Sequence, residues 1–218
     1  MFKGYVFRSI SARILAILCT LTLLCIGIFT VPSASAATDL AISAQGAVLI
    51  EASTGKVLFG LSAHTKLPMA STTKVMTALL ALERGNLNDI VKVPDEAYGA
   101  EGSSIYLKKG EEISLKDLLY GLMLSSGNDA AITIAVHIGG SVEAFVELMN
   151  QRAKELGAVN THFVTPNGLH DQNHYTTAYD LALIACRALQ NETFRAIVKT
   201  EYYQASTGEI QRTFKNKN

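Results

Sequence analysis

The spacing of apolar residues changes along the chain, and the change predicts strands first and helices afterwards. Two short apolar runs, residues 46–51 and 56–60, flank the turn-rich Ala52-Ser53-Thr54-Gly55 and are typical of a β-hairpin. From Thr72 to Arg84 the apolar positions recur at helical spacing, and Gly85 is placed to end that helix. The pattern therefore predicts a hairpin followed by a helix.

Four further helices are predicted downstream, bounded by residues that favour helix termini. The predicted spans are about 114–125, 129–137, 141–157 and 177–189. The first begins at a capping box of Ser114 with Asp117, and the last at a second box of Thr177 with Asp180. Between Val91 and Glu112 there is no helical spacing, so we expect irregular backbone with at most short strands.

The remaining strand candidates, residues 200–205 and 209–214, lie near the end of the chain. A two-stranded hairpin is only marginally stable alone and exposes an edge, so the first hairpin needs partner strands. Few are present, and we expect the sheet to be incomplete in these 218 residues.

Residues 1–36 have the pattern of a secretion signal. They contain three cations and no acid, an apolar run from Ile14 to Val31, and a small-residue cleavage site, Ala34-Ser35-Ala36, before Ala37. The apolar run is long for a signal, so an uncleaved membrane anchor is the alternative. We expect an exported protein whose domain, residues 37–218, lies outside the cytoplasm.

Composition and charge exclude two classes of protein. With 49% hydrophobic residues, the chain is neither disordered nor of low complexity. Its 19 Lys and Arg residues balance 19 Asp and Glu residues, which leaves no basic footprint for nucleic acid. Without residues 1–36 the balance is 16 cations against 19 acids, a net charge of −3. We therefore expect a globular domain that does not bind nucleic acid.

The first candidate for chemistry is Ser71-Thr72-Thr73-Lys74, at the start of the first predicted helix. Positions three apart share a helix face, so the Lys74 amine can reach the Ser71 hydroxyl. A serine becomes a nucleophile beside a base, and a lysine serves as that base when burial keeps it neutral. The alternative is an ordinary cap with a surface cation. Ser53-Thr54-Gly55-Lys56, in the hairpin turn, has the same spacing without a shared helix face.

A second candidate, Ser126-Gly127-Asn128, lies in the turn between two predicted helices. A hydroxyl and a carboxamide two residues apart can point the same way, one to relay a proton and the other to hold a substrate amide. Taken alone, the same three residues are an ordinary turn.

A metal site is the third candidate, and the sequence argues against it. His170 and His174 are four residues apart with Asp171 between them, a spacing that can bind zinc on a helix. Asn167-Gly168 before them and the capping box after them predict a loop instead. No phosphate-binding glycine loop is present. We expect neither a metal nor a cofactor.

Together these motifs resemble those of the serine penicillin-recognising enzymes, which use Ser-x-x-Lys, Ser-x-Asn and Lys-Thr-Gly. From about Leu40 onward the chain resembles the D-alanyl-D-alanine carboxypeptidases among them, the low-molecular-mass penicillin-binding proteins of the DacA/DacF type. The matching segments are residues 68–78, 102–104, 106–108, 124–130, 160–163 and 174–178, with Asp180. The resemblance implies an α+β fold of the β-lactamase/transpeptidase type, with an antiparallel sheet packed against a mainly helical subdomain.

The resemblance also implies a chemistry. Ser71 is expected to attack the peptide bond between the terminal D-alanines of a peptidoglycan stem peptide, forming an acyl-enzyme that water hydrolyses. Lys74 is implied as the general base, Ser126 as a proton relay and Asn128 as a ligand of the substrate amide. β-Lactams are implied as covalent inhibitors that acylate the same serine.

The third motif of the family does not occur in these residues. Lys199-Thr200 is followed by Glu201, and there is no Lys-Thr-Gly. In the family this motif holds the substrate carboxylate and helps to complete the oxyanion hole, where one donor is worth roughly 3 to 4 kcal/mol. The C-terminal domain and amphipathic helix of the branch do not occur either. We therefore expect a truncated chain, with peripheral membrane association only in a full-length form.

Two alternative functions stay open at this point. One is a non-catalytic, truncated cell-wall-binding fragment, an alternative that the missing third motif supports for this chain as it stands. A β-lactamase shares Ser-x-x-Lys, but Gly127 in place of Asp and the lack of an evident deacylating Glu argue against it.

Overall fold

The computed structural model of the protein describes residues 42–207 and 210–217, so the predicted signal, residues 1–36, lies outside the described residues. Residues from Ala44 onward belong to one unit. Its helices in the described ranges are α1 (Lys74–Arg84), α2 (Leu115–Ser125), α3 (Asn128–Gly139), α4 (Val142–Glu155), α5 (Ala178–Leu189) and α6 (Glu192–Lys199). Its strands there are β1 (Ala47–Ile50), β2 (Val57–Leu61), β3 (Ile90–Lys92), β4 (Glu112–Ser114), β5 (Tyr202–Ala205) and β6 (Arg212–Lys215).

Helix α1 is central, because it contacts each of the other five helices of the described residues. Its Met76, Leu79 and Leu80 are at most 1% exposed, and Lys74 and Thr77 are buried as well. The apolar spacing predicts one buried face, whereas the structure buries the first two turns on almost every side. Polar side chains in such a helix must find hydrogen-bond partners inside the protein.

Three predicted helix starts are confirmed in detail. Ser114, Ser141 and Thr177 are the N-caps of α2, α4 and α5. Each side chain accepts the backbone N–H of the residue three positions later, at 3.0 or 3.1 Å. These caps satisfy N–H groups that have no partner within the helix.

The acidic partners in the two predicted capping boxes bind distant segments. The carboxylate of Asp117 accepts the Tyr203 hydroxyl at 2.6 Å and the Thr207 backbone N–H at 3.1 Å. Asp180 accepts the backbone N–H of Asn160 at 2.7 Å. Each acid therefore joins the start of its helix to another part of the chain.

The strands form three two-stranded antiparallel sheets in the described residues: β1 with β2, β3 with β4, and β5 with β6. The first is the predicted hairpin, and the second brackets the segment predicted as mainly irregular. On the hairpin, Leu49 and Leu58 are each 56% exposed. The prediction of antiparallel strands with a mainly helical part is confirmed, although the strands do not join into one sheet within the described ranges.

The core is built mainly from the helices, and Leu118, Leu122, Ile134 and Phe145 are fully buried in it. Among the described residues, no single helix is long and apolar enough to cross a membrane. Helices α3 and α4 meet that test only as a pair, and they are bent by 84° at the break between them.

Candidate active site

Ser71 lies in a 3-10 turn, Ala70–Thr73, that runs directly into α1. Ala70 has a φ of 45°, in the left-handed region that residues with a Cβ rarely adopt. Gly168 packs against this turn so closely that a Cβ on it would lie 1.9 Å from the Ala70 carbonyl oxygen. The strained turn that presents Ser71 is thus supported by a loop almost a hundred residues further along the chain.

Three of the four predicted site residues meet at one point. Lys74 Nζ donates a hydrogen bond to Ser71 Oγ at 3.1 Å, and the Ser126 hydroxyl donates another at 3.1 Å. All three residues line one cavity of about 220 Å³. The other residues that line it are Thr72, Val75, Leu122 and Met123. Ser71 Oγ therefore lies between two groups that can accept or return its proton.

Lys74 is held in a state suited to a base. The residue is 2% exposed, and burial lowers the pKa of its amine to about 8. Its Nζ also donates to the backbone carbonyl of Asn167 at 2.7 Å, which fixes the direction of the amine. With this pKa, about a tenth of Lys74 is neutral at pH 7 and has a lone pair for the Ser71 proton.

The loop that carries the Asn167 carbonyl is anchored on both sides. On the helix side, Thr77 of α1 donates to the Pro166 carbonyl at 2.6 Å. On the other side, His174 Nδ1 accepts the backbone N–H of Val164 at 2.9 Å. The orientation of Lys74 thus depends on contacts made by three separate segments.

His174 is one of the two histidines considered for a metal site, and its ring nitrogens are engaged within the protein. Since Nδ1 accepts a backbone N–H, the proton of the neutral ring lies on Nε2, which is 2.7 Å from Thr73 Oγ1. Burial lowers the pKa of His174 to about 4, although the negative charge of Asp171 acts to raise it. In the described ranges no group of three His, Cys, Asp or Glu residues is placed to hold a metal ion.

The fourth predicted site residue, Asn128, is not among the residues that line the Ser71 cavity. It is 5% exposed and begins α3, two residues after Ser126. Its Nδ2 donates to the Glu101 carbonyl at 2.5 Å, and its backbone N–H donates to the Ser103 carbonyl at 2.7 Å. Asn128 therefore fixes the segment at residues 101–103 beside the site.

Asp129, which follows Asn128, binds the next residues of the same segment. It was not identified as a site residue from the sequence. It is 1% exposed, and its carboxylate accepts the Ser104 hydroxyl at 2.6 Å and the backbone N–H groups of Ile105 and Leu107 at 3.0 Å. The start of α3 thus holds residues 101–107 through two consecutive side chains. Its position directly after Ser-x-Asn was the available signal.

Asn167 was also missed, because it contributes a backbone carbonyl that has no signature in the side-chain sequence. The sequence signal that could have found it is the glycine at position 168, in a loop of turn-forming residues. In the structure Gly168 has a φ of 87°. Such a glycine marks either a turn or a close backbone approach, and here it is a close approach to the turn that carries Ser71.

Comparison with known proteins identifies the family. A model of the D-alanyl-D-alanine carboxypeptidase family, Peptidase S11, matches residues 32–218. D-alanyl-D-alanine carboxypeptidase DacF of Bacillus subtilis is 43% identical over 176 residues, which cover 78% of this chain and 45% of the relative. D-alanyl-D-alanine carboxypeptidase of Streptomyces strain K15 is 36% identical over 220 residues, which cover 93% of this chain and 76% of the relative. The chain thus spans less than half the length of the Bacillus relative.

Solved structures agree on the fold. A D-alanyl-D-alanine carboxypeptidase from Mycobacterium tuberculosis H37Rv matches with a TM-score of 0.76 at 34% identity, covering 80% of this chain and 67% of that one. A mutant of Streptomyces K15 DD-transpeptidase matches with a TM-score of 0.76 at 36% identity, covering 81% and 75%. These neighbours confirm the α+β fold of the transpeptidase type. By its sequence, from residue 32 to residue 218, and by its fold, the chain belongs to the D-alanyl-D-alanine carboxypeptidase family, Peptidase S11.

Proposed function

We propose that the protein is a serine-type D-Ala-D-Ala carboxypeptidase that removes the terminal D-alanine from peptidoglycan stem peptides through an acyl-enzyme. The observation that carries the proposal is the pair of hydrogen bonds, each of 3.1 Å, that Lys74 and Ser126 donate to Ser71 Oγ. Membership of the family supports the reaction class and the substrate class.

In the acylation step, Ser71 Oγ attacks the carbonyl carbon of the bond between the two D-alanines. Neutral Lys74 takes the hydroxyl proton as the oxygen–carbon bond forms. The tetrahedral intermediate then expels D-alanine, and the proton that Lys74 took passes through Ser126 to the leaving amine, which leaves Lys74 neutral again. Because Ser71 lies in the 3-10 turn that runs directly into α1, the positive end of the helix dipole favours the developing oxyanion.

Deacylation completes the cycle. Water attacks the ester carbon, its proton passes to Lys74, and Ser71 leaves with a proton returned from the same amine. Asn128 is proposed to accept a hydrogen bond from the substrate amide. Its Nδ2 is occupied by the Glu101 carbonyl, whereas its Oδ1 accepts no hydrogen bond within the described part of the chain.

β-Lactams are proposed to acylate Ser71 in the same way, because their ring amide presents an equivalent carbonyl. Opening of the ring leaves the amine attached to the acyl group, so the leaving group does not diffuse away. We expect the adduct to be long-lived for this reason, and β-lactams to act as inhibitors.

The experiment that tests the proposed function is release of D-alanine from an acyl-D-alanyl-D-alanine peptide, measured with a coupled D-amino-acid oxidase assay. Ser71→Ala should abolish release, while Ser53→Ala should not change it. Ser53 is a matched control because it begins the second Ser-x-x-Lys of the chain, in the turn between β1 and β2. Equal rates for the two variants would contradict the assignment of the nucleophile.

We also propose that the protein is exported, supported by the pattern of residues 1–36. Peptidoglycan lies outside the cytoplasmic membrane, so the proposed substrate requires this location. N-terminal sequencing of the protein from the cell envelope should start at Ala37. A start at Met1 would instead favour the uncleaved anchor.

A further inference from the structure

Tyr106 is an exposed aromatic residue with an unusual backbone. Its φ is 60°, in the left-handed region, and 82% of its surface is exposed. For a residue with a bulky side chain this conformation is unfavourable, and it persists only where the surroundings determine it. The contacts of the neighbouring backbone show what those surroundings are.

Two charged side chains hold the segment around Tyr106 from opposite sides. Asp129 accepts the backbone N–H groups of Ile105 and Leu107, each at 3.0 Å. Arg212 donates to the carbonyls of Ile105 and Tyr106, at 2.9 and 3.0 Å. The backbone is therefore fixed while the ring stays in solvent, so the exposure of the ring is imposed by the fold.

Arg212 is itself held in place. Its guanidinium pairs with both carboxylate oxygens of Glu111, and both side chains are less than 10% exposed. Ser104 completes the arrangement, since its hydroxyl accepts the Tyr106 N–H at 2.9 Å and donates to Asp129 at 2.6 Å. Every backbone polar group of Tyr106 thus has a buried or half-buried partner.

Tyr106 also lies between two cavities beside the site. One cavity, of about 340 Å³, is lined by Tyr106, by Ser125 next to Ser126, and by residues of β6. The other, of about 650 Å³, is lined by Tyr106 together with Tyr98, Lys108 and Lys109, among others. Residues 101–103 of the same loop bind Asn128, as described above. Asn128 begins α3 two residues after Ser126, so the segment that carries Tyr106 is fixed next to the helix start that follows Ser126.

We propose that Tyr106 is a specificity-determining residue, whose ring packs on the part of the stem peptide that precedes the terminal D-alanines. The cavity beyond the ring takes an acidic group of that peptide, next to Lys108 and Lys109. This inference rests on the proposed function. An aromatic ring offers a large apolar surface to an aliphatic peptide chain, and lysines at the rim complement a carboxylate. Lys109 is 3.4 Å from Asp95 in an exposed pair, which a ligand carboxylate can replace.

The test measures peptide binding without turnover, by calorimetry on the full chain carrying Ser71→Ala. One probe is N-acetyl-D-alanyl-D-alanine, and the other is a pentapeptide ending in D-alanyl-D-alanine with a γ-linked glutamate whose α-carboxylate is free. We expect the pentapeptide to bind about tenfold more tightly. Tyr106→Ala should remove most of that preference, and Tyr106→Phe should keep it.

Tyr106→Gly separates specificity from stability. Glycine adopts a φ of 60° without strain, so this variant should melt at a higher temperature and still lose the preference for the pentapeptide. A purely structural role would not combine these two changes. The proposal is overturned if neither peptide binds, if both bind equally to the parent, or if the preference survives Tyr106→Ala.

Labelling of the chain with intact Ser71 by a fluorescent penicillin keeps the two proposals apart. Labelling without a pentapeptide preference would overturn the role of Tyr106 and leave the proposed function standing. A Tyr106-dependent preference without labelling would overturn the proposed function and leave the role of Tyr106 in peptide binding standing.

Discussion

The charge state of Lys74 sets the pH range in which the site can act. Burial lowers its pKa to about 8, and only the neutral amine can take the Ser71 proton. We predict that the rate constant for acylation by penicillin increases with pH and levels off above about 8. Stopped-flow measurements between pH 6 and pH 10 would check this.

Lys74→Arg is the matched variant for that measurement, because arginine stays protonated in proteins. Acylation should fall by a factor of about 10² or more at every pH. A flat profile for the unmodified protein, or near-normal acylation of the arginine variant, would show that another group is the base.

Gly168 is the position where an added methyl group should be most damaging. Its Cβ would lie 1.9 Å from the Ala70 carbonyl oxygen and 2.9 Å from Thr73 Oγ1, so the loop must move away from the turn that holds Ser71. We predict that Gly168→Ala lowers the free energy of unfolding by about 2 to 4 kcal/mol and slows acylation. Denaturant titration and penicillin labelling measure the two effects.

Gly140→Ala is the control for backbone strain alone. Gly140 has a similar φ of 81°, but apart from its two chain neighbours no residue has an atom within 4 Å of its added Cβ. Gly140→Ala should lower the free energy of unfolding by only about 1 kcal/mol, because alanine is strained in the left-handed conformation. It should not affect acylation. Equal losses for the two variants would contradict the close approach of the loop.

Between elements, His174 is the group that ties the loop at residues 164–168 to the turn before α1. Its pKa is about 4 in the folded protein, lowered by burial from about 6.5 in the unfolded chain. Between these values the unfolded chain binds the extra proton and the folded protein does not. The contribution of His174 to the free energy of unfolding is therefore fully present above pH 6.5. It decreases by up to about 3 kcal/mol as the pH falls towards 4.

We predict that His174→Asn is less stable than the unmodified protein at pH 7 and shows a shallower loss between pH 6.5 and pH 4. Urea titrations at several pH values give the slopes. His162→Asn is the control, since that ring is largely exposed and close to His174. A slope for His174→Asn as steep as that of the unmodified protein would rule out His174 as its source.

Arg212 joins β6 to the segment before β4. Its partner Glu111 is buried, and although burial acts to raise the pKa of this carboxyl, the hydrogen bond and charge of Arg212 bring it below its usual value. We predict that Arg212→Met lowers the free energy of unfolding by about 3 to 5 kcal/mol, because a buried carboxylate is left unpaired.

Arg212→Met combined with Glu111→Leu should recover a large part of that loss, since no charge then stays buried. Thermal or denaturant unfolding of the two single variants and the double variant forms the complete cycle. Simple additivity of the two single losses would show that the pair does not interact.

The longer elements follow from local signals, whereas one short helix was missed. The hairpin and helices α1 to α5 were predicted, because each has an apolar period and recognisable termini. Helix α6 was missed, since it has eight residues and buries only Phe194 and Ile197. Its cap at Asn191, which accepts the Phe194 N–H at 3.1 Å, was the one local signal.

For the whole molecule, the site illustrates which contacts a sequence can predict. Ser71 and Lys74 are one helical turn apart, so their contact is local and was predicted from spacing. The contact with Ser126 followed from the resemblance to a family, and the structure brings the two hydroxyl groups to 3.1 Å. The Asn167 carbonyl and the His174 ring depend on how distant segments pack around α1, which no local pattern encodes.

The central position of α1 explains why these segments meet. Buried on nearly all sides, the helix needs internal partners for Thr73, Lys74 and Thr77, and it finds them in the loop that precedes α5. The same burial lowers the pKa of Lys74. Packing of the core and the lowered pKa of Lys74 are therefore consequences of one arrangement.

We propose Ser71 as the nucleophile, and the mass and position of a benzylpenicillin adduct would test this assignment. We predict that the intact protein gains the mass of one penicillin and that fragmentation of the tryptic peptide Leu67–Lys74 places it on Ser71. Ser53→Ala should form the same adduct and Ser71→Ala none. An adduct on another residue, or a folded protein that forms no adduct, would contradict the account.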